Sequence, residues 1–556
     1  MNHTRINRRS LSTINTTKRE LYQLKLEYKN DHSKDELISA KISIRALTAN
    51  GSEASSSSSS SSDGAELPQS IVRALHVDPP VELMFLGEDV DSVKHNSVED
   101  RERGAAPLLL FGLHSSSRMW LIYLLVDENE MPSVVQVTEP FEDLLLAGND
   151  GGTFIRRVRP AISGSVTIAP PGSMAMMLSN GVLALYHHRN RFKKITQHDC
   201  YDSMKGEIES DDDPLVDFCF AHSSSVGDGE YACGYIGELT VLLLRRSGDV
   251  YALSPVCFDG TFFHKTSVLD QIEYLEHCLS ELKPPSMTST SSRYRRNKVV
   301  TEEEARWRQI KTALLWINEV FGDLQEFSVV KMLYVSARIG MLSNKGASSC
   351  PLQVQGPLLY GRSEIDDGVS SPPASIIECM RGTATSQSLP TVFFAVGRYS
   401  GQVDICALSS GIEMRFALER GENIDNCTIG SGAVMQTICF DQRSDSDSYD
   451  GDDKGSILSL ITDTRTPDLV HVANEQGVFS VMTGVIHGFE RWVYSQATAR
   501  PEFRPSAWSC MKVSRPTFVT GLNVISDSRC GHVLFCSLSS GSYKHNVPYY
   551  MIFANF

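Results

Sequence analysis

The chain has 556 residues, 41% of them hydrophobic, and a formal net charge of -15. Such a length holds roughly two to four average domains or one large β architecture, with ample apolar content for a core. The negative balance argues against a general nucleic-acid binder, because phosphate recognition needs clustered Lys and Arg.

The 13 cysteines form no CxxC pair and no metal or disulfide spacing, which reads as reduced, mostly buried thiols of an intracellular protein. Apolar stretches such as Pro107 to Leu113 and Met119 to Val126 fall far short of the roughly 20 residues that span a bilayer. Neither a transmembrane helix nor a secretory signal is expected.

In chain order, Met1 to Arg19 is basic and Ser/Thr-rich, with no acidic residue before Glu20. That is the composition of an organellar transit peptide or of a plain basic tail, and the missing apolar face favours the tail. Ser52 to Ser62 is almost pure serine, which cannot bury enough apolar surface to offset chain entropy. Residues 1–66 are therefore expected to be a disordered tail, with at most a local helix around Leu21 to Leu47. Residues 203–214, 284–298 and 441–456 read as mobile loops.

From residue 67 to 556 one unit recurs: an apolar run, a short polar turn with Gly, then a second run in period two. It is seen around Gly181, Gly248, Gly401 and Gly477, and less regularly around Gly152 and Gly531. Glycine supplies the positive φ that a hairpin turn demands, and the flanking alternation buries one or both faces. Gly181, Gly248, Gly401, Gly477 and Gly531 are thus read as structural turn residues, not as a ligand site. The spacing exceeds the roughly 40 to 45 residues of a plain four-stranded propeller blade. Blades with large insertions fit, and a two-sheet sandwich array stays open.

A helical insertion is expected over about 266–330. Ser267 to Leu282 places Leu269, Ile272, Leu275, Leu279 and Leu282 at helical spacing, and Thr301 opens a second helix with a capping box to Glu304. The second helix carries Trp307, Ile310, Leu314, Ile317 and Phe321 on one face. That face either packs on the chain's own domain, the preferred reading, or docks a partner.

Chemistry is not supported. GxxxxGK[ST], HExxH and GxSxG are absent, and Gly227, Gly229, Gly234 and Gly237 lack both GxGxxG spacing and a following helix. Asp445 to Gly451 superficially resembles a calcium loop, but Tyr449 occupies a ligand position and Ser456 stands where the bidentate Glu belongs. His187 and His188 have no partner at metal spacing and read as a solvated strand end. The basic run Ser291 to Lys298 reads as solvated, with an import signal or phosphate contact as its functional alternative. No catalytic residue, metal or cofactor is assigned.

The strands nevertheless resemble a family. Val472-Ala-Asn-Glu-Gln-Gly-Val-Phe-Ser-Val-Met-Thr-Gly-Val-Ile-His487 is similar to the "H-E-A-G-V-H-S-V" strand pair of the eighty-eight kilodalton nucleoporin family (eighty-two kilodalton in fungi) of the nuclear pore's cytoplasmic face. Asp213 to Phe220, Thr240 to Tyr251, Val392 to Asp404 and Leu178 to Tyr186 resemble further family strands, and the agreement is collinear over about residues 170–540. The resemblance implies an all-β fold, a seven-bladed β-propeller that scaffolds the cytoplasmic filaments in mRNA export and protein transport. It also implies as partners the filament FG nucleoporins and the C-terminal domain of the autoproteolytic FG nucleoporin, with no direct nucleic acid. The family continues into a coiled coil, whereas Pro548 to Phe556 shows no heptads, as a truncated gene model or lineage variant would. Two alternatives are carried: a propeller subunit of a coat or chromatin assembly, and a propeller hydrolase, which predicts titratable groups converging on the channel.

Overall fold

The computed structural model describes residues 5–15, 20–31, 34–46, 64–89, 108–126, 132–146, 153–161, 167–189, 192–204, 213–221, 239–282, 301–322, 334–339, 350–361, 372–380, 392–408, 412–417, 432–440, 457–463, 466, 468–474, 477–495, 503, 505–512, 517–527 and 531–540. The serine run and the stretches 205–212, 284–298 and 441–456 lie outside the described residues, as does 323–330 of the expected insertion.

Antiparallel sheets follow one another along the chain, six of them four-stranded. The first has Arg5–Asn15, Glu20–Asp31, Lys34–Ala46 and Ala65–Glu66. The second has Glu82–Asp89, Leu108–His114, Met119–Leu125 and Ser133–Thr138; the third has Ile155–Pro160, Met174–Leu178, Val182–Arg189 and Phe192–Asp199. Leu215–Phe220, Val241–Arg245, Val250–Leu253 and Val354–Leu359 form the fourth; Ala374–Met380, Val392–Arg398, Gln402–Leu408 and Gly432–Cys439 the fifth. Ile457–Thr462, Leu469–Asn474, Gly477–Met482 and Ser506–Lys512 form the sixth, and the hairpin Thr517–Asp527 with Gly531–Ser540 follows.

First strands of neighbouring sheets pack on one another from Arg5–Asn15 to Glu82–Asp89 and again from Ile155–Pro160 through Leu215–Phe220, Ala374–Met380 and Ile457–Thr462 to Thr517–Asp527, and Gly531–Ser540 reaches back to Arg5–Asn15. The innermost strands thus form a succession that ends beside its own beginning. Apolar side chains fill the wedges between sheets: Leu242, Leu244 and Val250 of the fourth meet Ile377, Phe394 and Cys406 of the fifth. Each such burial contributes about 1.5–3 kcal/mol. Strands covered on both faces read as apolar runs, as in Leu108–His114 and Val392–Arg398.

The expected tail is corrected. Residues 5–15, 20–31 and 34–46 are three long strands, paired from Arg5 opposite Asn30 to Asn15 opposite Glu20 and from Glu20 opposite Ala46 to Asp31 opposite Lys34, with one register shift between Glu27 and Tyr28. The signal was the period-two alternation Tyr22, Leu24, Leu26, Tyr28, answered by Ala40 and Ile42 on the next strand. All six are buried against Phe111 and Trp120 of the second sheet. Leu21 and Gln23, on the opposite face, are buried as well, so this part of the strand is covered on both sides. The interleaved Lys and Glu residues masked the pattern. Arg5–Asn15 packs on Glu82–Asp89, the first strand of the second sheet.

Four helices of eight or more residues are described: α1 (Gln69–Val77), α2 (Lys265–Glu281), α3 (Glu302–Phe321) and α4 (Val485–Ser495). α2 and α3 are inserted before the last strand of the fourth sheet, beside a small sheet of Thr167–Ile168, Phe262–His264 and Tyr334–Ser336. The expected capping box is present, Thr301 Oγ1 accepting from Glu304 N at 3.2 Å. Three glutamates occupy the first turn of α3, where the helix dipole favours them. No described helix is long and apolar enough to cross a membrane.

Candidate functional site

Gly181, Gly248 and Gly401 occupy the turns between second and third strands, with φ of 80°, 98° and 79°. Gly477 and Gly531 instead open the return strands, opposite Asn474 and Asp527. Gly477 N donates to Asn474 Oδ1 at 3.1 Å, which ties off the hairpin's end. None of the five lines a ligand cradle among the described residues. Two of them mark close approaches: a Cβ on Gly181 would collide with the Tyr201 ring, and one on Gly248 would meet Arg398 Nη2 at 3.0 Å.

In the second to fifth sheets the turn between second and third strands lies beside the start of the first strand, and this end forms one hairpin-turn face. Backbone contacts sew that face together from sheet to sheet. Ser116 O, in the second sheet's turn, accepts from Ile155 N at 2.7 Å. Tyr201 Oη accepts from Leu215 N at 2.8 Å, and Arg246 O accepts from Ala374 N at 2.8 Å. The turns therefore fix the spacing of the sheets as well as reversing the chain.

On the innermost strands, charges converge. Arg159 of the third sheet donates to Asp217 Oδ2 of the fourth at 3.0 Å, and to Glu378 Oε2 and Ile377 O of the fifth at 2.6 and 2.8 Å. Asp217 also accepts from Ile377 N at 2.9 Å and faces Arg157 Nε at 3.5 Å. Burial opposes the Arg159 charge, but Asp217 and Glu378 outweigh it and hold the guanidinium more firmly protonated. At Glu82 burial likewise opposes the charge, and His114 with Arg157 and Arg159 still holds the carboxyl below its usual range. This convergence was not expected of a scaffold. Among the described residues it consists of carboxylates paired with arginines, with Arg159 Nε and Asp217 Oδ1 left without a hydrogen bond. The one clue in the sequence was the run Arg156-Arg157-Val158-Arg159.

His187 and His188 are buried, not solvated: their exposures are 0% and 7%. His187 Nδ1 accepts from Asp259 N at 2.9 Å, so Nε2 carries the proton and donates to Thr196 Oγ1 at 2.7 Å. Burial, with Lys194 and His198 nearby, lowers the His187 pKa to about 3. A second pair, His471 Nδ1 and Ser480 Oγ at 2.7 Å, is enclosed within its hairpin, where no substrate reaches a serine nucleophile.

The apolar face of α3 turns inward. Ile310, Ile317 and Phe321 are buried, and Leu314 packs against the same cluster, which includes Phe263, Val268 and Leu275. That face is occupied by the chain itself. Trp307 is half-buried with Lys311 Nζ 4.8 Å from its ring centroid, and Leu315 points out at 48% exposure. Gln309 fixes the helix by a two-way bond to the Phe416 backbone, Nε2 donating at 2.6 Å and Oε1 accepting at 2.9 Å. On α2, Leu269 lies off the buried stripe, 40% exposed, while Val268 and Gln271 take the interior.

The stretch that best resembles the nucleoporin family ends in a specific device. Asp468, 1% exposed, accepts from Thr483 Oγ1 and Ile486 N at 2.8 Å and from His487 N at 3.1 Å, and it pairs with the His487 ring. One carboxylate thereby caps α4 and ties it to the strand before it. Phe489 of α4 packs edge-on against Phe393 of the fifth sheet, centroids 5.6 Å apart.

Neither a protein-family profile nor a curated protein matches the sequence. Solved structures do. A chain of the heterotrimeric Nup82 NTD–Nup159 TAIL–Nup145N APD complex of Chaetomium thermophilum aligns with TM-score 0.55 at 14% identity, over 80% of this chain and 82% of that one. A chain of the yeast heterotrimeric Nup82–Nup159–Nup116 complex aligns with TM-score 0.50 at 11% identity, over 98% of both chains. At these identities the likeness is one of fold, and the chain is a mostly β protein of the β-propeller class.

Proposed function

We propose that the chain is a non-enzymatic scaffold subunit of the nuclear pore complex, placed on its cytoplasmic face, with a seven-bladed propeller that anchors FG nucleoporins and supports mRNA export. The observation that carries this reading is the alignment with the yeast nucleoporin-complex chain over 98% of both chains. The collinear strand matches, ending at the Asp468-capped helix, point the same way. Proteins of this fold work by presenting edges, loops and inserted helices to partners. In this chain the insertion offers the outward side of α3, with Trp307 and Leu315, since Ile310, Ile317 and Phe321 are spent on the core. The partners proposed are the filament FG nucleoporins and the C-terminal domain of the autoproteolytic FG nucleoporin. The test is location: a fluorescently tagged chain should give a punctate nuclear rim, with immunogold label on the cytoplasmic side. Label on vesicle coats, chromatin or an organelle would overturn the proposal.

A further inference from the structure

The hairpin-turn face carries exposed side chains of a kind that the fold does not use. Phe154, Tyr360 and Tyr399 are 44%, 70% and 52% exposed. Phe154 sits at the third sheet's turn, its N donating to Ser179 Oγ at 3.1 Å. Tyr360 and Tyr399 border the fourth sheet's turn: Gly361, next to Tyr360, packs on Gly248, and the guanidinium of Arg398, next to Tyr399, reaches the same glycine. Cations are interleaved with these rings. Arg156 lies 5.0 Å from the Phe154 ring centroid, Arg246 is exposed, and the Arg118 side chain is 52% exposed with Glu139 no nearer than 3.8 Å.

Among the described residues at this end, most carboxylates are already engaged by the fold. Asp213 accepts from Ser247 N at 2.7 Å, Asp249 from Gly361 N at 2.7 Å, and Asp404 from Arg398 Nε at 2.6 Å. Asp78 accepts from Ser115 and Ser116 at 2.6 and 2.9 Å. Glu82 faces His114, and Asp199 is exposed. In a chain of net charge -15, a surface of exposed aromatics and arginines stands out, since Tyr and Arg dominate the residues that carry interface energy.

We propose that this face, over the second to fifth sheets, docks an acidic linear segment of a partner protein, with aliphatic side chains packed on Tyr360, Tyr399 and Phe154 and carboxylates paired to Arg246 and Arg118. The aromatic rings take apolar groups on their faces, and the arginines supply charge complementarity and orientation. A protein segment fits better than RNA, because it can set aliphatic side chains on the exposed rings and place a few carboxylates only where the arginines stand, whereas RNA brings a phosphate with every nucleotide and finds no extended basic track here. The proposal deepens the scaffold reading but is tested apart from it, since nuclear-rim location does not depend on these side chains.

The test is an array of peptides of about 12 residues built from Asp, Glu, Leu and Ile, with Lys-for-acid counterparts and oligouridine, probed with the full chain. Acidic–aliphatic peptides should bind, and their Lys counterparts should bind about tenfold more weakly or not at all. Arg246→Glu and the pair Tyr360→Ala with Tyr399→Ala should each weaken binding about tenfold, while Val135→Ser, 56% exposed on the outer strand of the second sheet, leaves it unchanged. All these side chains are exposed, and unchanged circular dichroism and melting would certify the variants. No acidic binder, equal binding of the Lys peptides, binding of oligouridine instead, or indifference to the face variants would each overturn the proposal.

Discussion

Replacing Arg159 with Met removes a side chain that bridges the first strands of the third, fourth and fifth sheets. Arg159 and Asp217 have side-chain exposures of 14% and 2%, and Glu378 of 21%, so little solvent is at hand to take over the charges left behind. Removing one partner of a buried ion pair costs about 3–5 kcal/mol, because the remaining charge stays uncompensated. Arg157 Nε at 3.5 Å and Ile377 N at 2.9 Å still support Asp217, so the expected loss lies near the lower end, about 3 kcal/mol. Urea unfolding of Arg159→Met, Asp217→Asn and the double variant measures it. The double variant should lose less than the sum of the singles, by a coupling of about 1–3 kcal/mol. Hydrogen exchange should rise first in Ile155–Pro160, Leu215–Phe220 and Ala374–Met380. A single variant within about 0.5 kcal/mol of the parent, or singles that simply add, would refute the account of a cross-sheet clamp.

Further outcomes follow from the turns, the caps and His187. Gly181→Ala should cost about 2–4 kcal/mol, combining a positive φ with a collision against Tyr201, whereas Gly322→Ala, at φ 75 with nothing within 4 Å of the new Cβ, should cost only about 1. Melting of both variants, and of Gly181→Ala with Tyr201→Ala, separates strain from collision. Asp468→Ala should cost about 1–2 kcal/mol and unravel the first turn of α4, read by hydrogen exchange at Ile486 and His487. Because the folded pKa of His187 is lowered to about 3, the unfolded chain binds the proton first as pH falls below about 6.5. Its contribution, complete at neutral pH, should shrink by about 2 kcal/mol by pH 5. His187→Gln should flatten that part of a stability–pH curve.

Much of the architecture was legible because a hairpin writes itself locally. Gly181, Gly248 and Gly401 fall where alternation breaks, and each needs the positive φ that glycine supplies. Gly477 and Gly531 misled by one position, since pairing with Asn474 and Asp527 decides the strand's first residue. The first sheet was missed because its basic and serine-rich composition outweighed an alternation at Tyr22, Leu24 and Leu26 that was present throughout. α3 was legible as a helix, but periodicity gives a face without saying what covers it; Gln309 and Phe416 answer that across distant sequence. The Arg159 clamp was invisible for the same reason, as Asp217 and Glu378 meet it only when the third, fourth and fifth sheets close around one axis.

The most direct test of the central claim is affinity capture of the tagged chain from its own cells, chemically cross-linked and read by mass spectrometry. The account predicts FG nucleoporins and pore scaffold proteins, with cross-links concentrated on the α2–α3 insertion and the hairpin-turn face. Coat, chromatin or organellar proteins without any pore component would contradict it and leave the likeness to the nucleoporin complexes as one of fold alone.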